Sequence, residues 1–571
     1  MCPFAAHLKS LARGIRSTLQ CPAHMDRPLT PSGFWLRVIA LVLLTVPPLW
    51  FGLGDADCLF HMEVRAVASS QETWMRLADD AQAWRIPSWN GQPRINKPPL
   101  VVWVNLLAWA GLPADAPVDT LVYRARLLAA TLGWLTLLGV LWIGRTLVNI
   151  RFGFAAAVVT GTNLFFLRNV RMATYDTYLL AFCTLSIAAA LWALQPQGTR
   201  ASRHRWGWAL AGIFLAAGLL SKGPMALLLG GAPMILLCAL QPAGRRSWCV
   251  LAGALGLALA MTLPWYVYVW QTVPDAVALW RTEFSAERAR GQPPWYYLGL
   301  LGLVFPWTLW LVAGLLRRGR ADPRLRLALL WFIWIFVVLS LPGAKQQRYI
   351  LPILPAVGLL AAGVLLHPAP YRVWTRLHTA LLLCAAVVVS GLGFLPEPWL
   401  TRAGFDYPAH LGWPAAWSLG PGLLLFVLAL KAGYVARAGW NERALWITAA
   451  GLVVAATPAL HLYAQGRRSL YPQRAEIEQV AALTRDQPLY YLQGPFTEPQ
   501  YIHPDPRFRL YARRVPPGRT LDQVRALTGP AWLTAPDHAK ADRELRRAGW
   551  QPVRTYRDKG PLRCLYFKPA P

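Results

Sequence analysis

The segment FWLRVIALVLLTVPPLWFGLGDADCLFH, residues 34–61, joins a long apolar run to an acidic loop. Residues 34–53 carry one charged side chain, Arg37, and a helix of about 20 apolar residues crosses the hydrocarbon core of a bilayer. The polar stretch before it, residues 1–33, is too long and too polar for a cleavable signal peptide. The segment therefore predicts a first membrane span that runs outward from a cytoplasmic tail and brings Asp57 to the outer surface.

The composition of the whole chain agrees with a membrane protein. It has 571 residues, of which 55% are hydrophobic and 15% charged, whereas soluble domains carry roughly 25% charged residues. The apolar content excludes a disordered chain. The formal net charge of +30 would suit a nucleic-acid binder, but the basic residues lie between apolar runs and form no single patch. The composition indicates a polytopic membrane protein and predicts no nucleic-acid partner.

Apolar runs predict thirteen spans in all, several of them close to the minimum length for crossing a bilayer. They lie near residues 34–53, 123–145, 153–170, 177–195, 206–221, 224–240, 247–270, 295–316, 325–341, 350–367, 374–395, 412–431 and 442–462.

Loop charges set the predicted orientation. If the chain starts inside and alternates, every inside loop carries at least two basic residues, and most acids fall in the outside loops, as the positive-inside rule requires. The run Leu100–Leu112 has only 13 residues, which favours a helix lying on the membrane surface. Residues 54–122 are therefore predicted to form one long outside loop with two or three interfacial helices, and the C-terminus is predicted to lie outside.

The composition changes again near residue 464. Short apolar strands at 488–492, 508–512, 531–534 and 564–567 alternate with helical patterns at 474–485, 520–527 and 538–548, which predicts a small α/β domain. The predicted organisation is a cytoplasmic tail at 1–33, a transmembrane domain at 34–463 and an α/β domain outside the membrane at 464–571.

Unusual polar residues cluster in the predicted outside loops. Asp57 follows the first span, Lys97 opens a KPPL motif, and Arg171 and Asp176 lie in RNVRMATYD. Lys222 precedes a sharp Gly-Pro turn. Further polar residues are Glu283 and Arg288 in one loop and Lys345 and Tyr349 in PGAKQQRYILP. Ionisable groups at membrane depth tend to be functional, although Asp176 could be an ordinary helix cap and Arg171 could simply extend toward the interface.

The order and common side of these motifs are similar to those of the polyprenyl-phosphate-sugar glycosyltransferases of the GT-C superfamily. The chain most resembles the aminoarabinose transferase family that modifies lipid A, which is related to the protein O-mannosyltransferases. The shared motifs are the Asp after the first span, W-x-x-P-x-x-NG-x-P-x-x-x-KPPL, R-x-x-x-x-D, L-x-KGP and K-x-x-x-YILPxLP. The resemblance implies a GT-C fold of about 13 transmembrane helices with a periplasmic C-terminal α/β domain, located in the bacterial inner membrane.

The chain departs from the family pattern at two places. The family usually continues DExRY after the first span, whereas Asp57 is followed by Cys58-Leu59-Phe60-His61, so Asp55 rivals Asp57 for the catalytic position. Asn96 stands where the family often has an acid before KPP, and that acid has been linked to metal binding. No metal ligand and no certain cofactor are therefore predicted, and a divalent metal is kept only as a doubtful alternative.

The resemblance implies an inverting transfer of a sugar, aminoarabinose or a hexosamine-like sugar, from a polyprenyl (undecaprenyl) phosphate donor to a lipid A phosphate. The leaving phosphate needs preorganised positive charge, for which Lys97, Arg171 and Lys345 are candidates, with Tyr349 as a hydrogen-bond donor. Asp57 and Asp176 are the candidate catalytic carboxylates. Possible substrate contacts are Asp55, Asn96, Lys222, Glu283 and Arg288.

Two alternatives stay open on the sequence. The acceptor could be a protein or another envelope glycan. The choice of acceptor would depend on the long first loop and the C-terminal domain, where the sequence gives the least information. A non-enzymatic transporter would place ionisable residues near the middle of its spans, whereas here they collect at one face.

Overall fold

The computed structural model describes most of the chain. The described residues are 30–58, 60–113, 115–195, 201–240, 245–284, 291–316, 325–366, 372–392, 394, 414–437, 441–470, 473–493, 506–513, 516–557 and 562–570. The predicted cytoplasmic tail lies outside them except for its last four residues.

The first third of the chain contains the first long helix and the elements of the long loop. These are α1 (Pro31–Trp50), α2 (His61–Arg76), a 3₁₀ turn (Ala83–Arg85), strands β1 (Ser88–Trp89) and β2 (Gln92–Pro93), α3 (Leu100–Trp109) and α4 (Val118–Leu147).

The middle of the chain is helical. Its elements are α5 (Ile150–Gly161), α6 (Leu164–Val170), α7 (Tyr175–Ala193), α8 (Ala201–Lys222), a π-helical turn (Leu227–Gly231) running into α9 (Ala232–Leu240), α10 (Arg245–Thr272), α11 (Ala276–Phe284), a 3₁₀ turn (Pro294–Gly299), α12 (Leu300–Leu303), α13 (Thr308–Leu316), α14 (Arg326–Ser340), a 3₁₀ turn (Gln347–Ile353) running into α15 (Leu354–Leu365), α16 (Arg372–Leu392), α17 (Pro414–Arg437) and α18 (Asn441–Leu470).

A helix or a broken helix lies at each of the thirteen predicted spans. Within the described ranges, seven helices are long and apolar enough to cross a membrane, or eight if one bent pair counts as a span. The seven are α1, α4, α7, most of α10, Gln347–Leu365, and most of α16 and α17. The chain is therefore a multi-pass membrane protein by length and composition, and the number thirteen stays a prediction.

The stretch predicted as one span over 153–170 is not a single straight helix. Helices α5 and α6 meet at 69°, because the chain breaks at Thr162-Asn163. The Asn163 side chain accepts hydrogen bonds from the backbone of Phe165 and Phe166, which caps α6. The Trp307 indole donates to the Thr162 hydroxyl at 3.1 Å. The bend turns α6 toward the loop that begins α7.

The C-terminal region forms a five-stranded sheet with helices. Its elements are α19 (Gln473–Leu483), β3 (Leu489–Leu492), α20 (Pro506–Ala512), β4 (Gly518–Arg519), α21 (Leu521–Arg525), β5 (Ala531–Pro536), α22 (Ala539–Arg547), β6 (Gln551–Arg557) and β7 (Leu562–Lys568). The strand order is β4-β3-β5-β7-β6, with β3 parallel to β4 and β5 and the other pairs antiparallel. The strands predicted at 488–492, 531–534 and 564–567 are confirmed, as are all three predicted helices.

The strand predicted at 508–512 is wrong, since this segment is helix α20. Pro506 takes the first helical position, where its missing N–H costs nothing. The short apolar–polar alternation around Arg509 suggested a strand with one side facing solvent. Arg509 is instead buried, at 4% exposure, so the alternation does not reflect a solvent-facing side. Strand β6 was missed because its sequence, QPVRTYR, contains no apolar run.

The C-terminal domain shares a hydrophobic core with the long loop. This shared core contains Cys58, Val64, Trp109 and Leu121 from the loop and α4, together with Ile477, Phe508, Tyr511 and Leu565 from the C-terminal domain. Helix α18 continues to Leu470, past the predicted domain boundary at 463/464. The C-terminal domain therefore rests on the end of the helix bundle where α1 ends, called here the domain end.

Strands β1 and β2 form a hairpin with a two-residue turn, pairing Ser88 with Pro93 and Trp89 with Gln92. Both turn residues, Asn90 and Gly91, have positive φ angles of 54° and 74°, which defines a type I′ turn and explains the Asn-Gly sequence. The hairpin leads directly into the Lys97-Pro98-Pro99 segment.

Candidate functional site

Asp176 is the centre of a buried charge cluster. It lies in the first turn of α7 with 1% exposure. Its carboxylate pairs with the Lys222 ammonium at the last residue of α8 and with Nε of Arg348 at 3.1 Å. A buried carboxylate is stable only when it is paired, and Asp176 has two cationic partners.

The Tyr349 ring lies beside both cations. The Lys222 ammonium is 4.4 Å and the Arg348 guanidinium 5.1 Å from the ring centroid, which are cation–π distances. The 3₁₀ turn Gln347–Ile353 presents Arg348 and Tyr349 as neighbours at the start of an apolar helix. The predicted residues Asp176, Lys222 and Tyr349 are thus brought together.

Lys97 joins the same cluster. Gly223, which ends α8 with φ +68°, is so close to the KPP segment that a Cβ built on it would lie 3.9 Å from Pro98. The positive charge of Lys97 also acts on Lys222. Lys222 and Arg348 carry two positive charges against the single negative charge of Asp176. The cluster therefore has an excess of positive charge, which suits an anionic ligand.

Arg348 was missed by the sequence reasoning, although it stands inside the PGAKQQRYILP motif. The signal was available, because an arginine directly before a strongly apolar helix needs a partner at membrane depth.

Two of the predicted phosphate-binding residues make backbone contacts. The buried Lys345 ammonium donates to the carbonyls of Gln292 at 3.0 Å and Pro342 at 2.6 Å. Arg171 donates to the carbonyls of Pro48 at 2.6 Å and Gly52 at 3.3 Å, and it is electrostatically coupled to Asp55. These contacts give both residues a part in holding loops, and their role in phosphate binding stays a prediction.

The Asp57 carboxylate pairs with the C-terminal domain. Its Oδ1 accepts from Arg474 at 2.9 Å, and its side chain is 7% exposed. The same guanidinium binds both oxygens of Asp119, at 2.7 and 2.8 Å, and donates to Glu478 at 2.8 Å. No sequence motif pointed to Arg474, because it is 417 residues away from Asp57.

A second buried ion pair organises the backbone around both acids. Glu63 and Arg126 form two hydrogen bonds, at 2.8 and 2.9 Å. Arg126 also donates to the carbonyls of Leu53 and Ala56, just before Asp57. Glu63 accepts the N–H of Ala173 at 3.0 Å, three residues before Asp176. One ion pair therefore holds the loops that carry both candidate catalytic carboxylates.

The residue after Asp57 is also held by the C-terminal domain. The Cys58 N–H donates to the Tyr511 hydroxyl at 2.8 Å, and both side chains belong to the shared core. Burial, followed by the nearby Glu63 carboxylate, raises the pKa of the Cys58 thiol well above its ordinary value. Burial likewise raises the pKa of the Tyr511 phenol.

The remaining predicted contacts are less defined. Asn96 is exposed. The Glu283 side chain and the whole of Arg288 lie outside the described residues. Among the residues that the structure covers, no group of three His, Cys, Asp or Glu side chains converges as metal ligands do.

The sequence is similar to those of known glycosyltransferases over part of its length. Residues 97–268 match the family model of the dolichyl-phosphate-mannose-protein mannosyltransferases. An undecaprenyl phosphate-alpha-4-amino-4-deoxy-L-arabinose arabinosyl transferase of Pseudomonas fluorescens is 31% identical over 33% of this chain and 34% of its own. A transferase of the same name from Sodalis glossinidius is 26% identical over 64% of this chain and 66% of its own. The chain thus matches between about a third and two thirds of the length of these relatives.

The fold also matches a solved structure. ArnT from Cupriavidus metallidurans, crystallised with undecaprenyl phosphate, superposes with a TM-score of 0.69 at 20% identity, covering 94% of this chain and 98% of that one. Its apo form gives a TM-score of 0.70 over the same shares. The chain therefore has the fold of ArnT, and the predicted resemblance to the GT-C polyprenyl-phosphate-sugar glycosyltransferases is confirmed.

Proposed function

We propose that this chain, which has the GT-C fold and resembles the aminoarabinose transferases, is a membrane glycosyltransferase. It moves a sugar from undecaprenyl phosphate to a phosphate of lipid A, and the sugar is aminoarabinose or a similar amino sugar. The observation that carries the proposal is the buried cluster in which Asp176 holds Lys222 and Arg348 beside Tyr349.

The excess positive charge of this cluster suits the departing phosphate. In an inverting displacement, an acceptor oxygen attacks the anomeric carbon while the bond between that carbon and the donor phosphate breaks. Negative charge then grows on the leaving undecaprenyl phosphate. Lys97, Lys222 and Arg348 would stabilise this charge more strongly than in bulk water, since the site is largely buried. Asp176 keeps Lys222 and Arg348 oriented, so that they need not reorganise during the reaction.

Asp57 would act on the acceptor. A lipid A phosphate is mostly ionised at neutral pH, so Asp57 would orient it or accept its remaining proton. Its carboxylate would also stabilise positive charge on the sugar ring in the transition state. Asp55 is the rival for this role because it lies two residues away, where it is coupled to Arg171. Arg171 and Lys345 are proposed as further donor-phosphate ligands, with Asn96, Glu283 and Arg288 as possible substrate contacts.

The proposed topology follows the loop charges. With thirteen spans, the N-terminus would lie in the cytoplasm, and the domain end, with residues 464–571, would lie in the periplasm of a bacterium with an inner membrane. Donor and acceptor would meet at that face.

A transfer assay tests the proposal. The purified protein in lipid nanodiscs is given undecaprenyl phosphate-aminoarabinose and lipid A, and the product is read by mass spectrometry. We expect Asp176→Asn and Arg348→Ala to lower kcat by about 100-fold or more. Asp176→Asn removes the carboxylate that orients Lys222 and Arg348, and Arg348→Ala removes one of the positive charges that would stabilise the leaving phosphate. Arg37→Ala is the matched control, since it breaks the Arg37–Glu442 pair between α1 and α18. Wild-type protein that leaves lipid A unmodified with this donor would overturn the assignment.

A protein acceptor is the second candidate, and the match of residues 97–268 to the protein mannosyltransferase family favours it. Glycopeptide mass spectrometry of envelope proteins from a strain expressing the chain decides between the two. Sugar found on Ser or Thr residues and absent from lipid A would support this second candidate.

A further inference from the structure

We propose that Arg474 is a positioning residue for Asp57, through which the C-terminal domain sets the geometry of the reacting carboxylate. This inference rests on the proposed function. It assigns a role to a residue that is distant in the sequence from the GT-C motifs. Arg474 lies near the start of α19 and donates to Asp57 at 2.9 Å.

The other contacts of Arg474 fix the direction of its guanidinium. Asp119, in the first turn of α4, takes two parallel hydrogen bonds, at 2.7 and 2.8 Å. Glu478, one turn along α19, takes the Nε hydrogen at 2.8 Å. The Tyr511 ring lies 5.1 Å from the guanidinium carbon. A planar fork held on these sides fixes the direction of the second N–H of Nη1, and this N–H donates to Asp57.

Arg474 orients Asp57 through one carboxylate oxygen. Three carboxylates, those of Asp57, Asp119 and Glu478, share this guanidinium, and Asp57 takes part through Oδ1. A hydrogen bond at one oxygen fixes the direction of the carboxylate, which is what the proposed role of Asp57 on the acceptor requires.

The C-terminal domain holds the same loop at a second point. Tyr511 on α20 accepts the N–H of Cys58 at 2.8 Å, so two helices of this domain hold two consecutive loop residues. Arg509, also on α20, pairs with Glu72 and donates to Asn90 at 2.9 Å. Asn90 belongs to the hairpin that leads to Lys97. The domain therefore contacts the segments that bring both the carboxylate and a phosphate-binding lysine to the site.

The kinetic test uses Arg474→Ala in the same lipid A transfer assay. We expect kcat to fall by about 100-fold, because misplacing a reacting group by about 1 Å has an effect of that size, while the KM for the donor stays within about twofold. Arg474→Lys should recover only part of this loss, since an ammonium cannot form the bidentate contact with Asp119. In a protein that already carries Asp57→Asn, adding Arg474→Ala should lower kcat by less than about a further twofold, because the two residues act as a unit.

The matched control is Arg546→Ala, which removes an arginine of the same domain from a 2.8 Å pair with Asp542 and should leave kcat unchanged. A second measurement does not depend on activity. Hydrogen exchange at residues 53–60 should become faster in Arg474→Ala and not in Arg546→Ala. Wild-type kcat in Arg474→Ala, a full additional loss in the Asp57→Asn background, or unchanged exchange at 53–60 would overturn the inference. If the wild type transfers no sugar, the proposed function fails, and the exchange measurement still tests the positioning of the loop.

Discussion

At the scale of single residues, the site depends on ion pairs taken out of water. Glu63 and Arg126 are 1% and 5% exposed, and Asp176 is similarly buried between two cations. Such pairs add little net stability over apolar residues of the same size, but losing one partner leaves an uncompensated buried charge. Their value here is that they fix loops which carry reactive groups.

We expect Glu63→Gln to destabilise the protein by about 3–5 kcal/mol, because Arg126 would stay buried without a countercharge. Thermal unfolding of the detergent-solubilised protein measures the effect. Glu442→Gln is the control, since its pair with Arg37 is more exposed, at 26% for the Glu442 side chain. Equal shifts in the two variants would contradict the role assigned to Glu63.

The sequence predicted part of this site. Asp176, Lys97, Lys222 and Tyr349 were singled out because each stands in a motif at the edge of a span, and the structure brings them together. Arg126 and Arg474 were missed since their partners are 63 and 417 residues away. No local pattern encodes such a pairing. Residues that stand in a local sequence motif could therefore be predicted, whereas residues whose partners are distant in the sequence could not.

At the scale of elements, the β1–β2 hairpin depends on its turn. We expect Gly91→Ala to destabilise the hairpin by about 1–2 kcal/mol, because φ is +74° at this position and a Cβ is unfavourable there. Gly529→Ala is the matched control, since a Cβ has open space at both sites but Gly529 has no positive φ. Faster hydrogen exchange over residues 86–95 in Gly91→Ala alone is the expected result, and equal exchange in both variants would refute the turn assignment.

Helices α4 and α5 approach each other through glycine. A Cβ on Gly144 would lie 2.7 Å from the Cα of Gly153, and one on Gly153 would overlap the carbonyl oxygen of Leu141. We therefore expect Gly153→Ala to cost about 1–3 kcal/mol of stability by forcing the helices apart. Gly253→Ala in α10, where a Cβ would meet nothing within 4 Å, should leave the melting temperature unchanged or slightly higher. A neutral Gly153→Ala would show that the two helices can separate without loss.

Elements were more predictable than contacts. Long apolar runs identified the helices because a bilayer leaves the backbone few alternatives. The bend at Thr162-Asn163 was missed because a polar pair inside an apolar run reads as part of the span. Helix α20 was mistaken for a strand because five residues cannot separate a period of 2 from one of 3.6.

At the scale of the whole molecule, the shared core makes docking of the C-terminal domain sensitive to alkali. The pKa values of the Cys58 thiol and the Tyr511 phenol are raised in the folded protein. The unfolded state therefore loses the thiol proton first above about pH 8.5 and the phenol proton first above about pH 10. Stability should be complete below the ordinary thiol pKa near 8.5 and should fall as pH rises, by up to about 1.4 kcal/mol per pH unit for each group.

Denaturation midpoints measured at pH 8, 9 and 10 test this. Cys58→Ala should reduce the slope between pH 9 and 10, whereas Cys249→Ala, which removes an exposed thiol outside the shared core, should leave it unchanged. A slope that is the same in all three proteins would exclude Cys58 as a source.

The shared core also imposes an order on biosynthesis. Cys58 and Tyr511 are 453 residues apart, and ribosomes add about 5–20 residues per second. The loop that carries Asp57 therefore waits roughly 20–90 seconds after its own synthesis for the residues that complete its packing. During that interval Val64, Trp109 and Leu121 lack the part of their packing that the C-terminal domain supplies. A nascent chain stalled before residue 473 should accordingly be a substrate for chaperones and proteases, and release from them should coincide with the arrival of α19 and α20.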